Sequence, residues 1–230
     1  MAKNPIRKLE TYNPLAKREL GASVAKSLLE QPISVLPPKE IFEGAGIYAI
    51  YYMGAFASYD FIREANEHGK CSLPIYVGKA VPKGARKGGF GLDIAPGTVL
   101  CSRMREHAET LRGAKFNLKD FACRYLAVDD IWIPLGENLL IEMFQPLWNS
   151  VLDGFGNHDP GSGRYKGMRP PWHVVHPGIS WAAKCRQHSR SAAEFLRDVE
   201  AFKRGQLKPK LTPEEIVIKE ASESEDENGS

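Results

Sequence analysis

Residues 46–52 read GIYAIYY and residues 73–80 read LPIYVGKA. Both segments are short, rich in Ile, Val and Tyr, and bounded by Gly or Pro, the pattern of β-strands. Side chains alternate across a strand, so Tyr48 shares a face with Ile50, and Tyr76 shares a face with Gly78. Pairing the two strands sets the phenols side by side, with glycines leaving room for something large to approach. Aromatics are common in sheets, so whether these two tyrosines do chemistry depends on what the rest of the chain brings to them.

Downstream, VPKGARKGGFGLDIAPG (81–97) is a Gly-rich basic loop. Lys79, Lys83, Arg86 and Lys87, with Arg105 and Arg164 further on, are candidate contacts to a polyanion's phosphates. The loop has neither Walker spacing nor a dinucleotide-binding glycine pattern between strand and helix, which excludes a nucleotide cofactor. Residues 98–112 (TVLCSRMREHAETLR) form an amphipathic helix, with Leu100, Met104, Ala108 and Leu111 as its apolar stripe. Arg103 and His107, four apart, stack at the border of that stripe, where such side chains are ordinarily solvated. FACRYLAVDD (121–130) alternates as a third strand. A helix then runs from Pro134 to Gln145, opened by one proline and stopped by Pro146. One turn back from Leu140 and Ile141 lies Glu137, on the apolar face, while Glu142 falls on the solvated side with Asn138 and Gln145. An inward carboxylate is costly unless it is paired, hydrogen-bonded or bound to a cation, so Glu137 is the candidate metal ligand.

Gly46-Ile47-Tyr48 and Ile75-Tyr76-Val77-Gly78 resemble the defining motif of the GIY-YIG nuclease superfamily, with Val77 in place of the usual isoleucine. The resemblance extends over 46–149 through Arg103, His107, Glu137 and Asn149, the last within Pro146-Leu147-Trp148-Asn149. PLWNSVLDGFGNHDPGSGRY and HPGISWAAKC look like the C-terminal part of its Type II restriction endonucleases, nearest to those cutting the palindrome CCGCGG. The resemblance implies an α/β (α+β) fold, a three-stranded antiparallel sheet (46–52, 73–80, 121–129) flanked by helices. It also implies DNA phosphodiester hydrolysis with one Mg²⁺ per site held by Glu137. Arg103 then clamps the phosphate, and Tyr48 orients or deprotonates water with help from His107 or from the charges of Lys79 and Arg103. Tyr76 positions the phosphate or the water. Asn149 ties the helix end to the sheet or orients a tyrosine. The alternatives are a homing- or repair-type nuclease, a non-catalytic DNA-binding protein of this fold, or a zinc protein using His158, His173 and His176 with a cysteine.

The remaining features bound this reading. At 230 residues the chain buries one core plus extensions. The divisions are an N-terminal arm (1–44) with a helix near 14–30, a catalytic domain (45–150), a C-terminal extension (151–206) and an acidic, disordered tail (207–230). Asn157-His158-Asp159 reads as a loop, His173-Val174-Val175-His176 as an extended segment, and 180–206 as a basic helical element. Four cysteines without C-x-x-C spacing argue against a structural zinc and against a disulfide framework. The absence of an apolar leader or long apolar run predicts a cytoplasmic protein without a membrane span. Residues 212–230 carry seven acids and one lysine, so the remainder nets +9, a charge suited to double-stranded DNA. The Tyr, Arg/His and Glu set occurs once, so cutting both strands of a palindrome calls for a homodimer on DNA.

Overall fold

The two tyrosine segments pair directly. The computed structural model describes residues 13, 15–82 and 95–207. In chain order it contains helix α1 (Lys17–Leu29), strands β1 (Ser34–Val35) and β2 (Gly46–Tyr52), helix α2 (Asp60–Asn66) and strand β3 (Tyr76–Ala80). Helix α3 (Val99–Gly113), strand β4 (Phe121–Ala127), and helices α4 (Ile133–Phe144) and α5 (Leu147–Ser150) follow. Helices α6 (Pro171–Val175), α7 (Ser180–Lys184) and α8 (Ala192–Lys203) complete the described chain. The sheet is antiparallel throughout, ordered β1-β4-β2-β3. The expected architecture stands with one more strand, because the extended segment before the first tyrosine strand adds the two-residue β1 to the edge of β4.

All seven residues of β2 are buried, because helices cover both faces of the sheet. Ile47, Ala49 and Tyr51 pack with Val77 against Leu28 of α1 and Leu139 and Leu140 of α4. Tyr48, Ile50 and Tyr52 pack on the other side with Leu100, Met104 and Leu111 of α3, Trp148 of α5, Trp172 of α6 and Phe195 of α8. The C-terminal helices therefore share a core with the tyrosine face. Tyr59 seals the junction, its hydroxyl 2.6 Å from His176 Nε2 and accepting from Trp148 Nε1 at 3.2 Å.

Strand β3 is an edge, and an open edge presents unpaired backbone groups. Here the chain covers it with its own polar groups. Asn149 donates to the Val77 carbonyl at 2.8 Å and accepts from the Val77 N–H at 2.9 Å, and Trp148 N–H donates to the Ile75 carbonyl at 3.0 Å.

Three expectations need correction. The second tyrosine strand begins at Tyr76, not residue 73. His173-Val174-Val175-His176 is not extended: Pro171 opens a short helix that ends at Val175, a position where proline's fixed φ suits a first helical turn. The 180–206 element is two helices, the second started by a reciprocal cap between Ser191 and Glu194.

Candidate active site

Register brings the phenols together. Tyr48 stands opposite Gly78 and Ile50 opposite Tyr76, so both tyrosines project from one face with ring centroids 6.3 Å apart. Glycine at 78 serves a different purpose from the expected one. A Cβ there would lie 2.6 Å from Tyr48 Cζ and 2.9 Å from Tyr76 Cε1, so the Tyr48 ring itself, and not a substrate, fills the space.

Helix α3 crosses this face. Its apolar stripe faces the sheet, which places Arg103 and His107 over the tyrosines. His107 lies deeper than a stripe border implies, only 1 % exposed. Its ring stacks on Phe155 with centroids 4.8 Å apart, and its Nε2 is 2.5 Å from the Tyr48 hydroxyl. The Arg103 guanidinium lies beside Tyr48, where its positive charge favours the ionised phenol. When the neutral imidazole carries its proton on Nδ1, its Nε2 is free to accept the phenolic proton of Tyr48. Burial pushes the Tyr48 hydroxyl well above its ordinary range, and the neighbouring Tyr76 and Glu137 add to this while Arg103 opposes it. Burial, and then the Arg103 charge, hold His107 well below the usual histidine range. At neutral pH the pair is a phenol and a neutral imidazole, so Tyr48 alone is not a base.

Both terminal nitrogens of Arg103 are engaged. Its Nη1 donates to Glu106 Oε2 at 3.1 Å and to His158 Nε2 at 2.5 Å, and its Nη2 to the Gly156 carbonyl at 2.6 Å. Gly156 is wedged in: its φ is +84°, and a Cβ would lie 2.9 Å from both His107 Cε1 and Tyr76 Oη. Phe155, edge-on to Tyr76 at 4.9 Å, completes this wall. Sequence reasoning left Phe155, Gly156 and His158 in an ordinary loop. No local pattern links them to Arg103, more than fifty residues away.

Glu137 comes from the opposite layer, on α4. It is 8 % exposed, and its Oε2 lies 2.9 Å from Lys79 Nζ at the edge strand, near enough to Tyr48 for its charge to raise the phenol's pKa. Glu142 is exposed. Asn149 serves the edge of β3, as described above. Of the expected phosphate contacts, Lys79 is engaged with Glu137, Arg105 is half-buried on α3, and Arg164 is exposed. Lys83, Arg86 and Lys87 lie outside the described residues, as do 208–230 of the acidic tail. All four cysteines are buried and free. His176 is taken by Tyr59, and no group of three or more His, Cys, Asp or Glu is placed to hold a metal among the described residues. No helix there is long and apolar enough to cross a membrane.

Two tyrosines from adjacent antiparallel strands, an Arg/His pair from the next helix and a glutamate from the one after define a GIY-YIG nuclease domain. Residues 40–203 match the family described as the Eco29kI GIY-YIG domain, and the chain belongs to that family, a restriction-type nuclease acting on DNA. No curated protein matches the chain.

Proposed function

We propose that this protein is a Type II restriction endonuclease, hydrolysing DNA phosphodiester bonds with Mg²⁺ and breaking both strands at a short palindrome. CCGCGG is the first site to test. The observation that carries this reading is the neutral Tyr48–His107 pair in contact with Arg103. As water attacks phosphorus, the Tyr48 oxygen takes the water's proton while its own passes to His107 Nε2. No tyrosinate is required, which answers the difficulty posed by a buried phenol. Arg103 holds the phosphate and stabilises its growing negative charge. Tyr76, half-buried beside it, orients the phosphate through its hydroxyl.

Glu137 suits a hard divalent cation, being a nearly buried carboxylate already facing an ammonium. Mg²⁺ retains several waters, so one protein carboxylate is enough. Bound there, it would supply Lewis-acid stabilisation of the phosphate and of the departing 3′ oxygen. One such set cuts one strand, so a palindrome cut on both strands calls for a homodimer on the DNA.

The test is incubation of plasmid DNA with the protein and Mg²⁺, with a chelator control, followed by sequencing of the cut ends. Linear product with one repeated palindromic end is expected. Mixing wild type with excess Glu137→Ala should divert product to nicked circles. Random ends, or cleavage that persists in chelator, would overturn the assignment.

A further inference from the structure

In the free chain the proposed catalytic hydroxyl is sealed from solvent. Tyr48 is 0 % and His107 1 % exposed, with Phe155 and Gly156 packed over His107 and Tyr76. Both terminal nitrogens of Arg103 bond to the protein itself, so a phosphate that takes the Nη1 edge of this guanidinium must displace a resident acceptor. The Gly156 carbonyl can leave but carries no charge with which to meet a phosphate. His158 is different. Its side chain is 69 % exposed, it accepts from Arg103 Nη1, and it borders a depression of about 400 Å³ lined also by Asn157, Asp159, Arg164 and Trp181. The ring thus has open space to turn into, beside the clamp.

We propose that His158 is a further phosphate-contacting residue of this site, standing in for the phosphate on Arg103 in the free chain and turning to the phosphate itself when DNA binds. The proposal rests on the nuclease reading. To accept from Arg103, His158 must be neutral with its proton on Nδ1, since the guanidinium has only donors to offer. As an imidazolium it can no longer accept, is repelled by Arg103, and has two N–H groups to give to a phosphate. Histidine is the side chain whose charge changes near neutral pH, so the exchange couples to proton uptake. The charged and titratable groups facing His158 set its balance. Arg103 and Glu106 come from α3, with Glu106 Oε2 4.0 Å from Nδ1, and His107 lies beneath. Arg164 and Asp159 line the same depression, with Asp159 held by Tyr165 and by the Gly161 N–H. A DNA phosphate adds negative charge and tips this balance toward the imidazolium.

The experiment measures binding to a duplex carrying the cleavage site found by end-sequencing, with Ca²⁺ replacing Mg²⁺, over a salt series at pH 6 and pH 8. Each phosphate contact made by a cation contributes about 0.9 to the slope of log affinity against log salt. Wild type should show a slope steeper by roughly one contact at pH 6 than at pH 8. His158→Gln, whose amide still accepts from Arg103 but does not titrate, should lose that difference and keep the pH 8 slope. His158→Ala should behave like Gln at pH 6, and its single-turnover cleavage in Mg²⁺ should be slower by roughly tenfold or more because the Arg103 fork is left to Glu106. Removing that competitor in His158→Ala/Glu106→Ala should recover part of the rate. Equal slopes for wild type and His158→Gln at pH 6, with cleavage intact, overturn the His158 assignment alone. Absence of any cleavage by wild type overturns the nuclease reading and this inference with it.

Discussion

The molecule contains the same chemical pair twice. Tyr48 meets His107 Nε2 at 2.5 Å and Tyr59 meets His176 Nε2 at 2.6 Å, with both phenols wholly buried. Burial raises both hydroxyls above the ordinary range and lowers both imidazoles, His176 to about 3. What differs is the third neighbour. Tyr48 lies beside a guanidinium and feels the Glu137 carboxylate, behind a wall of loop residues. Tyr59 accepts from the Trp148 indole, and the rings of Phe56, Phe116 and Trp172 surround its histidine. On the proposed mechanism, a buried tyrosine–histidine pair is therefore a tie in one place and a proton path in the other. The charged partner and the route for substrate make the difference, and the pair alone does not.

This contrast breaks most sharply on activity. Tyr48→Phe and Glu137→Ala should each lower cleavage by roughly 10²–10³-fold or more, the scale of losing a group aimed at transition-state charge. Glu137→Ala should leave DNA binding largely intact, since a bound cation acts in the chemical step. Tyr59→Phe should keep cleavage per folded molecule near wild type. Plasmid-nicking rates normalised to folded protein decide this, and a Tyr59→Phe enzyme as inactive as Tyr48→Phe would erase the distinction.

Stability should respond in the opposite order. Tyr59→Phe strands the Trp148 N–H and His176 Nε2 in an aromatic surround, at a cost of about 1–3 kcal/mol. Tyr48→Phe should cost less, because Arg103 keeps Gly156, Glu106 and His158 as acceptors. Urea unfolding midpoints of the two variants test the ranking.

The histidines of the structural region also predict acid sensitivity. His176, held at about 3 in the fold and His173 at about 4, return to roughly 6.5 when unfolded. The unfolded chain takes up protons first as pH falls, so stability is complete above about 6.5 and declines toward the folded values. The urea midpoint should fall between pH 7.5 and pH 5, and a flat profile would remove these imidazoles from the account. The smallest effect belongs to Glu142→Ala, a solvated position on the helix that carries Glu137, where stability should change by less than about 0.5 kcal/mol. An inactive Glu142→Ala enzyme would reverse the assignment of the two helix faces.

Much of this site is legible in local pattern. Strand alternation placed Tyr48 and Tyr76 on a common face, and helical spacing separated buried Glu137 from exposed Glu142. Trp172 and Pro177 around His173–His176 favoured an extended segment, whereas Pro171 starts a helix there that ends before Pro177. A two-residue strand such as β1 is too short to have a period at all.

What the amino-acid sequence determined by itself is the two tyrosine strands, the helices that carry Arg103 and Glu137, and the inward or outward sense of Tyr48, Tyr76, Glu137 and Glu142, because alternation and helical repeat are properties of the local backbone. What only the tertiary structure decided is which groups stand third to each pair. The Gly156 carbonyl and His158 on Arg103, Lys79 on Glu137, and Asn149 on the backbone of β3 are all contacts across tens of residues. They depend on how the layers close around one sheet, and no short-range pattern encodes that closure.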